Sequence, residues 1–233
     1  MIRDRSAVEV KQAIYLLRLS GQLKTGAQQM RLASSLRRLY WLAMERFDIV
    51  DDDDRVIGTA ARSTCHGNPA LVHRAVHVLV VNAAGELLLQ KRSAHKDIQP
   101  GKWDTSVGGH LEPGESYFAA AVREMHEELG LRGLPLTFLY RSKIRNAIEA
   151  ENIATYLTRW DGPVTWAAHE IDEVRYWPAG EIETALGHGV FTPNFEEEWA
   201  MYQAFRRRYQ TGRASGLGLC AGDSFPDLLR GLD

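Results

Sequence analysis

The chain has 233 residues, which permits one large domain or one domain with an appendage. Its formal net charge of −2 predicts no nucleic-acid partner and no attraction to a membrane surface. No apolar run is long enough to cross a bilayer, and the N-terminus lacks the apolar region of a signal peptide. The two cysteines, Cys65 and Cys220, form no CxxC motif, so free thiols in a cytoplasmic protein are expected.

Residues 1–45 are predicted to form a helical N-terminal extension of one or two helices, broken near Gly21 or Gly26. Its basic residues outnumber its acidic ones. A basic amphipathic segment can contact membranes or nucleic acid. The simpler interpretation is that it packs on its own domain or on a second copy in a homodimer.

The region 46–210 is predicted to be a single α/β domain. Apolar patterning predicts strands over 46–50, 56–60, 74–82, 86–90, 103–107, 136–144, 153–160 and 174–177. The four aspartates at 51–54 are better explained as a hairpin turn than as a metal site. Helices are predicted over 116–129, 178–186 and 194–209, giving a mixed sheet with helices on both faces. The Gly-rich residues 211–233 are predicted to be a flexible tail.

The helix predicted over 116–129 has clear end signals. Ser116 can cap its start and Gly130 suits the position just after its end. On a helical wheel, one stripe is apolar and is predicted to be core: Phe118, Val122, Met125 and Leu129.

Three carboxylates, Glu124, Glu127 and Glu128, share a different face of this helix. Close like-charged pairs destabilise a helix by about 0.2–0.5 kcal/mol each, so the arrangement has no structural benefit. A hard divalent cation removes the repulsion, because carboxylate oxygens are the ligands that Mg²⁺ and Mn²⁺ prefer. The alternative is a solvated acidic helix face.

The residues before the helix favour a metal site over a solvated acidic face. Gly108 and Gly109 allow the backbone to approach a ligand closely, and Glu115 lies at the helix start. The stretch GHLEPGESYFAAAVREMHEELGL, beginning at Gly109, resembles the Nudix box at every fixed position, G-x5-E-x7-R-E-U-x-E-E-x-G-U with U apolar.

This resemblance implies an α/β/α sandwich and an enzyme that hydrolyses a small-molecule diphosphate linked to another group X. It implies that Glu124, Glu127, Glu128 and the backbone of Gly109 bind Mg²⁺ or Mn²⁺. Arg123 and Glu115 match the orienting pair, and Glu124 is the candidate base that activates water. The sequence does not name X, so nucleotides, nucleotide sugars, coenzyme A and prenyl diphosphates all stay open.

A second set of residues resembles the Nudix subgroup close to type 1 isopentenyl-diphosphate isomerase. In those isomerases, residues matching His66, His73 and His110 bind a metal with two later glutamates, for which Glu149 and Glu151 are the candidates here. Basic residues matching Arg92 and Lys96 would face the diphosphate. The simpler interpretation of the three histidines is that they are hydrogen-bonded structural residues near the site.

Two departures favour hydrolysis over isomerisation. The isomerases use a cysteine as acid/base where this chain has Gly108, and they carry a basic residue where this chain has Glu124. An isomerase working without the cysteine and a non-catalytic Nudix-fold binding protein stay as alternatives. Glu170 and Glu173 are expected in a loop before the strand 174–177. Glu173 is a candidate for an extra ligand or base, and the simpler interpretation is a plain solvent-facing carboxylate.

Overall fold

A computed structural model describes residues 45–96 and 98–214 of the chain, with side chains described as far as Tyr209. The predicted extension 1–45 and tail 211–233 therefore lie almost wholly outside the described residues. The described part divides into two compact units, each considered by itself. No described helix is both long and apolar enough to span a membrane.

The first unit comprises the described residues up to Arg74 together with 112–114 and 145–151. Strands β1 (Arg46–Val50) and β2 (Val56–Ala61) form an antiparallel hairpin, followed by a short helix α1 (Arg62–Cys65) that the sequence did not predict. Its small core contains Phe47, Ile49 and Cys65.

The four aspartates form the hairpin turn, as predicted. The Oδ1 atom of Asp51 accepts hydrogen bonds from the backbone N–H groups of Asp53, at 3.0 Å, and Arg55, at 2.9 Å. Asp54 has a φ of 64°, a left-handed conformation that Asp tolerates in turns. The carboxylate of Asp51 is therefore used within the turn itself.

The second unit contains most of a seven-stranded sheet and all of the longer helices among the described residues. The strands are β3 (His73–Val81), β4 (Leu87–Arg92), β5 (Trp103–Asp104), β6 (Val107–His110), β7 (Thr137–Arg145), β8 (Ala150–Arg159) and β9 (Ile171–Trp177). The strand order is β5-β4-β3-β8-β7, with β6 pairing β3 and β9 pairing β4. The helices are α2 (Tyr117–Leu129), α3 (Ala179–Ala185) and α4 (Pro193–Ala214).

Helices cover both faces of β3, because alternate residues of a strand point to opposite sides. Val76, Val78 and Val80 lie in one buried cluster with Met125 of α2. Leu79 and Val81 lie in another cluster with the α4 residues Phe195, Trp199 and Tyr202. The predicted α/β class with a mixed sheet and helices on both faces is confirmed.

The predicted strand 103–107 is wrong in one respect, because it is two strands with different partners. β5 pairs with β4, whereas β6 pairs with β3. Between them the hydroxyl of Ser106 accepts from the backbone N–H of Val80 at 2.9 Å and donates to the carbonyl of Leu88. This buried hydroxyl satisfies both neighbouring strands where the chain changes partner.

Candidate active site

Helix α2 begins and ends as the sequence predicts. The hydroxyl of Ser116 accepts a hydrogen bond from the backbone N–H of Ala119 at 3.2 Å, and Gly130 has a φ of 70° after the last turn. The predicted apolar stripe is only half correct. Met125 and Leu129 are fully buried, but Phe118 is 54% and Val122 37% exposed.

The buried face of α2 is instead formed by small residues, Ala120 and Ala121, together with Tyr117, Met125 and Leu129. Small side chains bring the helix close to the sheet. The helix faces the sheet in an orientation that also buries Glu128, one carboxylate of the acidic face. Its side chain is only 7% exposed.

The guanidinium of Arg123 is the centre of the site's hydrogen bonding. Nε and Nη2 donate to the two carboxylate oxygens of Glu115 at 3.0 and 2.8 Å. Nη2 also donates to the carbonyl of His110 at 2.9 Å, and Nη1 donates to Glu124 at 2.8 Å and Glu127 at 3.2 Å. All N–H groups of the guanidinium are thus engaged, so Arg123 ties the loop, the helix start and two carboxylates together.

The pKa of Arg123 is raised although burial by itself would lower it, because the carboxylates of Glu115 and Glu124 stabilise its charge. Arg123 is therefore a permanent cation in the centre of the acidic face.

Glu124 lies directly against the backbone of Gly109. A Cβ atom built on Gly109 would overlap the carboxylate of Glu124, so the approach is possible only for glycine. Burial raises the pKa of Glu124 to about 7, and the charge of Arg123 opposes that shift.

Glu128 is held from the sheet side. Its Oε2 atom accepts hydrogen bonds from Nε2 of Gln90 at 3.0 Å and from the backbone N–H of Gly108 at 3.2 Å. Burial and then the charge of Glu124 raise the pKa of Glu128 to about 8, while Lys96 opposes the shift. Gln90 is a neighbour of the box carboxylates to which the sequence assigned no role.

Two residues from loops complete the electrostatic environment. Nζ of Lys96 lies 2.9 Å from Oε2 of Glu170, and the charge of Glu170 raises the pKa values of both Glu124 and Glu128. Glu173, predicted to lie in a loop, instead lies within β9 opposite Lys91, where it is exposed, in agreement with the simpler interpretation of a solvent-facing carboxylate. The structure therefore brings Glu170, rather than Glu173, into electrostatic contact with the box glutamates.

Arg92, the other candidate contact to the diphosphate, is engaged with its own loop. Its Nη1 atom lies 3.0 Å from Oδ2 of Asp104, and its Nε donates to the carbonyl of Ile98 at 3.0 Å. These bonds give Arg92 a structural role in holding the loop after β4.

The histidine candidates are divided between the two units. In the first unit, Nε2 of the buried His73 lies 3.4 Å from Oε1 of Glu151, and Phe47 stacks on the His73 ring at 4.8 Å between centroids. His66 and Glu149 also belong to this unit, where Glu149 accepts through its carbonyl from the N–H of Asn146. His110 belongs to β6 of the second unit, where its carbonyl accepts from Arg123.

The residues of the second unit fit a hard divalent cation. Glu124, Glu127 and Glu128 offer carboxylate oxygens, the ligand type that Mg²⁺ and Mn²⁺ prefer. Burial is the main cause of the raised pKa values of Glu124 and Glu128, and a bound cation would offset the cost of keeping these buried carboxylates charged. Because residue 109 has no side chain, the Glu124 carboxylate occupies the position that a Cβ would take, directly beside the Gly109 backbone.

The model of the NUDIX domain family matches residues 71–195, which is more than half of the chain. The chain belongs to the Nudix family. An uncharacterised Nudix hydrolase of Streptomyces coelicolor is 36% identical over 70% of this chain and 91% of its own length. These matches identify this Nudix protein as a hydrolase, as predicted.

Other relatives of this Nudix hydrolase are named as isomerases. An isopentenyl-diphosphate Delta-isomerase of Burkholderia multivorans is 35% identical over 66% of this chain and 88% of its own length. The crystal structure of DR0079 from Deinococcus radiodurans covers 67% of this chain and 98% of its own, with 25% identity and a TM-score of 0.59. The predicted likeness to the isomerase subgroup is confirmed, and Nudix enzymes generally use divalent metals.

Proposed function

We propose that this Nudix hydrolase is a Mg²⁺- or Mn²⁺-dependent diphosphohydrolase that cleaves an X-linked diphosphate at the carboxylate face of α2. The observation that carries the proposal is the packing of the Glu124 carboxylate against Gly109, with Arg123 fixing its other side. A carboxylate whose position is fixed in this way suits the role of a base that holds or deprotonates the attacking water.

The metal would be held by Glu124, Glu127, Glu128 and the backbone of Gly109. When bound, it would neutralise charge on the diphosphate and lower the pKa of a water molecule. Arg123 positions the carboxylates, since it bonds Glu115, Glu124 and Glu127 at once. Gln90 orients the buried Glu128. Lys96, paired with Glu170, supplies positive charge beside the same carboxylates and is the candidate contact to the diphosphate.

The second candidate function is isomerisation of a prenyl diphosphate, which the name of the relative in Burkholderia multivorans favours. The chemistry of position 108 opposes it, because glycine cannot transfer a proton where those isomerases use a cysteine. The retained carboxylates also support hydrolysis over a purely binding role.

The test is product analysis with Mg²⁺ and Mn²⁺ on a panel of nucleotide, sugar-nucleotide, coenzyme A and prenyl diphosphates. We expect metal-dependent bond cleavage that falls by at least about 10²-fold in Glu124→Gln, because a base and metal ligand is lost. Glu183→Gln, the same change at an exposed residue of α3, is the matched control and should retain full turnover.

Two results would contradict the proposal. Normal turnover in Glu124→Gln, with an unchanged circular dichroism spectrum, would remove Glu124 from the mechanism. Isomerised prenyl diphosphate without phosphate or pyrophosphate release would show that the second candidate is the activity.

A further inference from the structure

The carboxylate of Glu128 has one oxygen fully occupied by hydrogen bonds. Its Oε2 atom accepts from Nε2 of Gln90 at 3.0 Å and from the backbone N–H of Gly108 at 3.2 Å. A carboxylate oxygen has about two lone-pair sites, so these two donors use the whole acceptor capacity of Oε2. Within residues 45–96 and 98–214, no group donates a hydrogen bond to Oε1. Glu128 therefore has one oxygen, Oε1, to offer to a cation.

The other two box carboxylates are held by a single nitrogen, Nη1 of Arg123. Oε1 of Glu124 accepts from it at 2.8 Å, and Oε2 of Glu127 accepts from it at 3.2 Å. A cation bound to either of these oxygens would lie beside the guanidinium charge and be repelled by it. The opposite oxygens, Oε2 of Glu124 and Oε1 of Glu127, accept no hydrogen bond from the part of the chain that the structure describes. Each box carboxylate thus presents one oxygen.

Burial holds the arrangement most firmly at Glu128. The side chains of Glu128 and Gln90 are 7% and 6% exposed, so little water competes for the hydrogen bond between them. Gln90 lies on β4 and Gly108 on β6, and both strands belong to the seven-stranded sheet. The two donors are therefore carried by the sheet, whereas the carboxylate is carried by α2.

Mg²⁺ and Ca²⁺ differ in how they use carboxylates. Mg²⁺ requires a near-octahedral set of about six ligands and keeps several water molecules in that set. Ca²⁺ takes roughly six to eight oxygen ligands and commonly binds both oxygens of one carboxylate. Three carboxylates that present one oxygen each satisfy the first requirement. They do not supply the bidentate contact that raises the coordination number for Ca²⁺.

We infer that these donors make the site selective for Mg²⁺ over Ca²⁺, and that Gln90 is the positioning residue that sets this selectivity. The inference rests on the proposed function, which puts the cation at the box carboxylates. Gln90 acts through Glu128, because it occupies Oε2 and so keeps that oxygen out of the coordination. Of the two donors to Oε2, Gln90 is the one that a substitution can remove, since Gly108 donates from its backbone.

The test measures cation binding directly, on the metal-free full-length protein without substrate. Electron paramagnetic resonance follows free Mn²⁺, and Mg²⁺ or Ca²⁺ is then added to displace the bound Mn²⁺. Gln90→Met removes the donor and keeps an unbranched side chain of similar length. Gln90→Asn, whose amide is shorter by one methylene, is the second variant. Only binding that is lost in Glu128→Gln is assigned to this site.

We expect wild-type protein to bind Mg²⁺ more tightly than Ca²⁺. The ratio of the Kd for Ca²⁺ to the Kd for Mg²⁺ should fall by at least about tenfold in both Gln90 variants, because losing a residue that orients a metal ligand changes metal affinity by about 10–100-fold. Mg²⁺ should bind more weakly, while Ca²⁺ keeps its affinity through the freed Oε2. Gln203→Met, the same change at a partly buried position of α4, is the matched control and should leave the ratio unchanged.

Infrared spectroscopy gives a second readout, which a purely structural role of Gln90 would not change. The separation of the two carboxylate stretching bands differs between a carboxylate that binds a cation through one oxygen and one that binds through both. With Ca²⁺, the Gln90 variants should gain the bidentate band pattern at this site. Wild-type protein and Gln203→Met should lack it.

An unchanged Kd ratio in Gln90→Met and Gln90→Asn, with circular dichroism spectra like that of the wild type, would overturn the inference. The proposed function fails separately. If the cation selectivity is found but the wild-type protein cleaves no diphosphate, the role of Gln90 stands and hydrolysis does not. If diphosphates are cleaved but the ratio does not respond to Gln90, hydrolysis stands and the inference does not.

Discussion

Gly109 is the residue on which the arrangement of the site depends most directly. Its lack of a side chain allows the Glu124 carboxylate to pack on the β6 backbone. The sequence indicated this glycine through its place in the box, but it did not show which carboxylate would approach it. That contact joins a strand and a helix, so it exists only after both have packed.

We expect Gly109→Ala to reduce kcat by about 10²-fold or more and to destabilise the fold by about 1–3 kcal/mol, because its Cβ must displace Glu124. Gly180→Ala is the matched control. It lies in α3, where a Cβ would meet nothing within 4 Å, and should stabilise the protein by up to about 1 kcal/mol. Turnover assays measure the change in kcat, and urea unfolding midpoints measure the change in stability. Equal results for the two variants would contradict the close approach of Glu124 to Gly109.

The residues around the box show which contacts the sequence pattern predicts and which it does not. Arg123 and Glu115 form the predicted pair, with both carboxylate oxygens of Glu115 bonded. The sequence assigned no role to Gln90 and named Glu170 only as one of two loop candidates, since each comes from a different strand or loop and reaches the carboxylates only through the fold. Glu170 and Glu173 are three residues apart, and nothing local distinguishes them.

At the scale of elements, helix α2 was predicted within a residue, because its cap residues Ser116 and Gly130 are local signals. Its buried face was predicted less well. Periodicity favours the largest apolar residues, but close packing on the sheet selects Ala120 and Ala121 and leaves Phe118 exposed. The choice depends on the distance between helix and sheet, which a helical wheel does not contain.

The two faces of this helix predict different stabilities for its variants. Met125→Ala should destabilise the fold by about 2–5 kcal/mol, because a fully buried side chain leaves a cavity. Phe118→Ala should cost no more than about 1 kcal/mol, since the ring is 54% exposed and contacts Tyr156 edge-on. Urea unfolding of both variants checks this. A larger loss of unfolding free energy for Phe118→Ala than for Met125→Ala would show that Phe118 belongs to the core, as the apolar stripe predicted.

Strands were predicted to within a few residues, except where the chain changes its partner at Ser106. The sequence shows apolar residues on either side of this point, and local pattern does not contain information about which neighbour each half will pair with.

At the scale of the whole molecule, we propose the domain organisation predicted from the sequence, with a Nudix domain at 46–210 and residues 1–45 as an appendage. Deleting Met1 to Leu36 should then leave kcat within about twofold of the full-length chain purified in parallel, because the carboxylates, Arg123 and Gln90 all come from later residues. Steady-state kinetics and gel filtration measure the outcome. A folded but inactive truncation would show that the segment completes the site or an oligomer.

The sequence by itself determined the family, the hydrolase chemistry and the carboxylate set, because the box is a local pattern with fixed spacing on one loop and one helix. Tertiary structure decided the rest: the burial of Glu128, its hydrogen bond from Gln90 and the electrostatic contact of Glu170, rather than Glu173, with the box glutamates. Each of these depends on residues brought together from separate elements. Their contacts are set by how those elements pack, whereas the spacing along the chain sets only what one element presents.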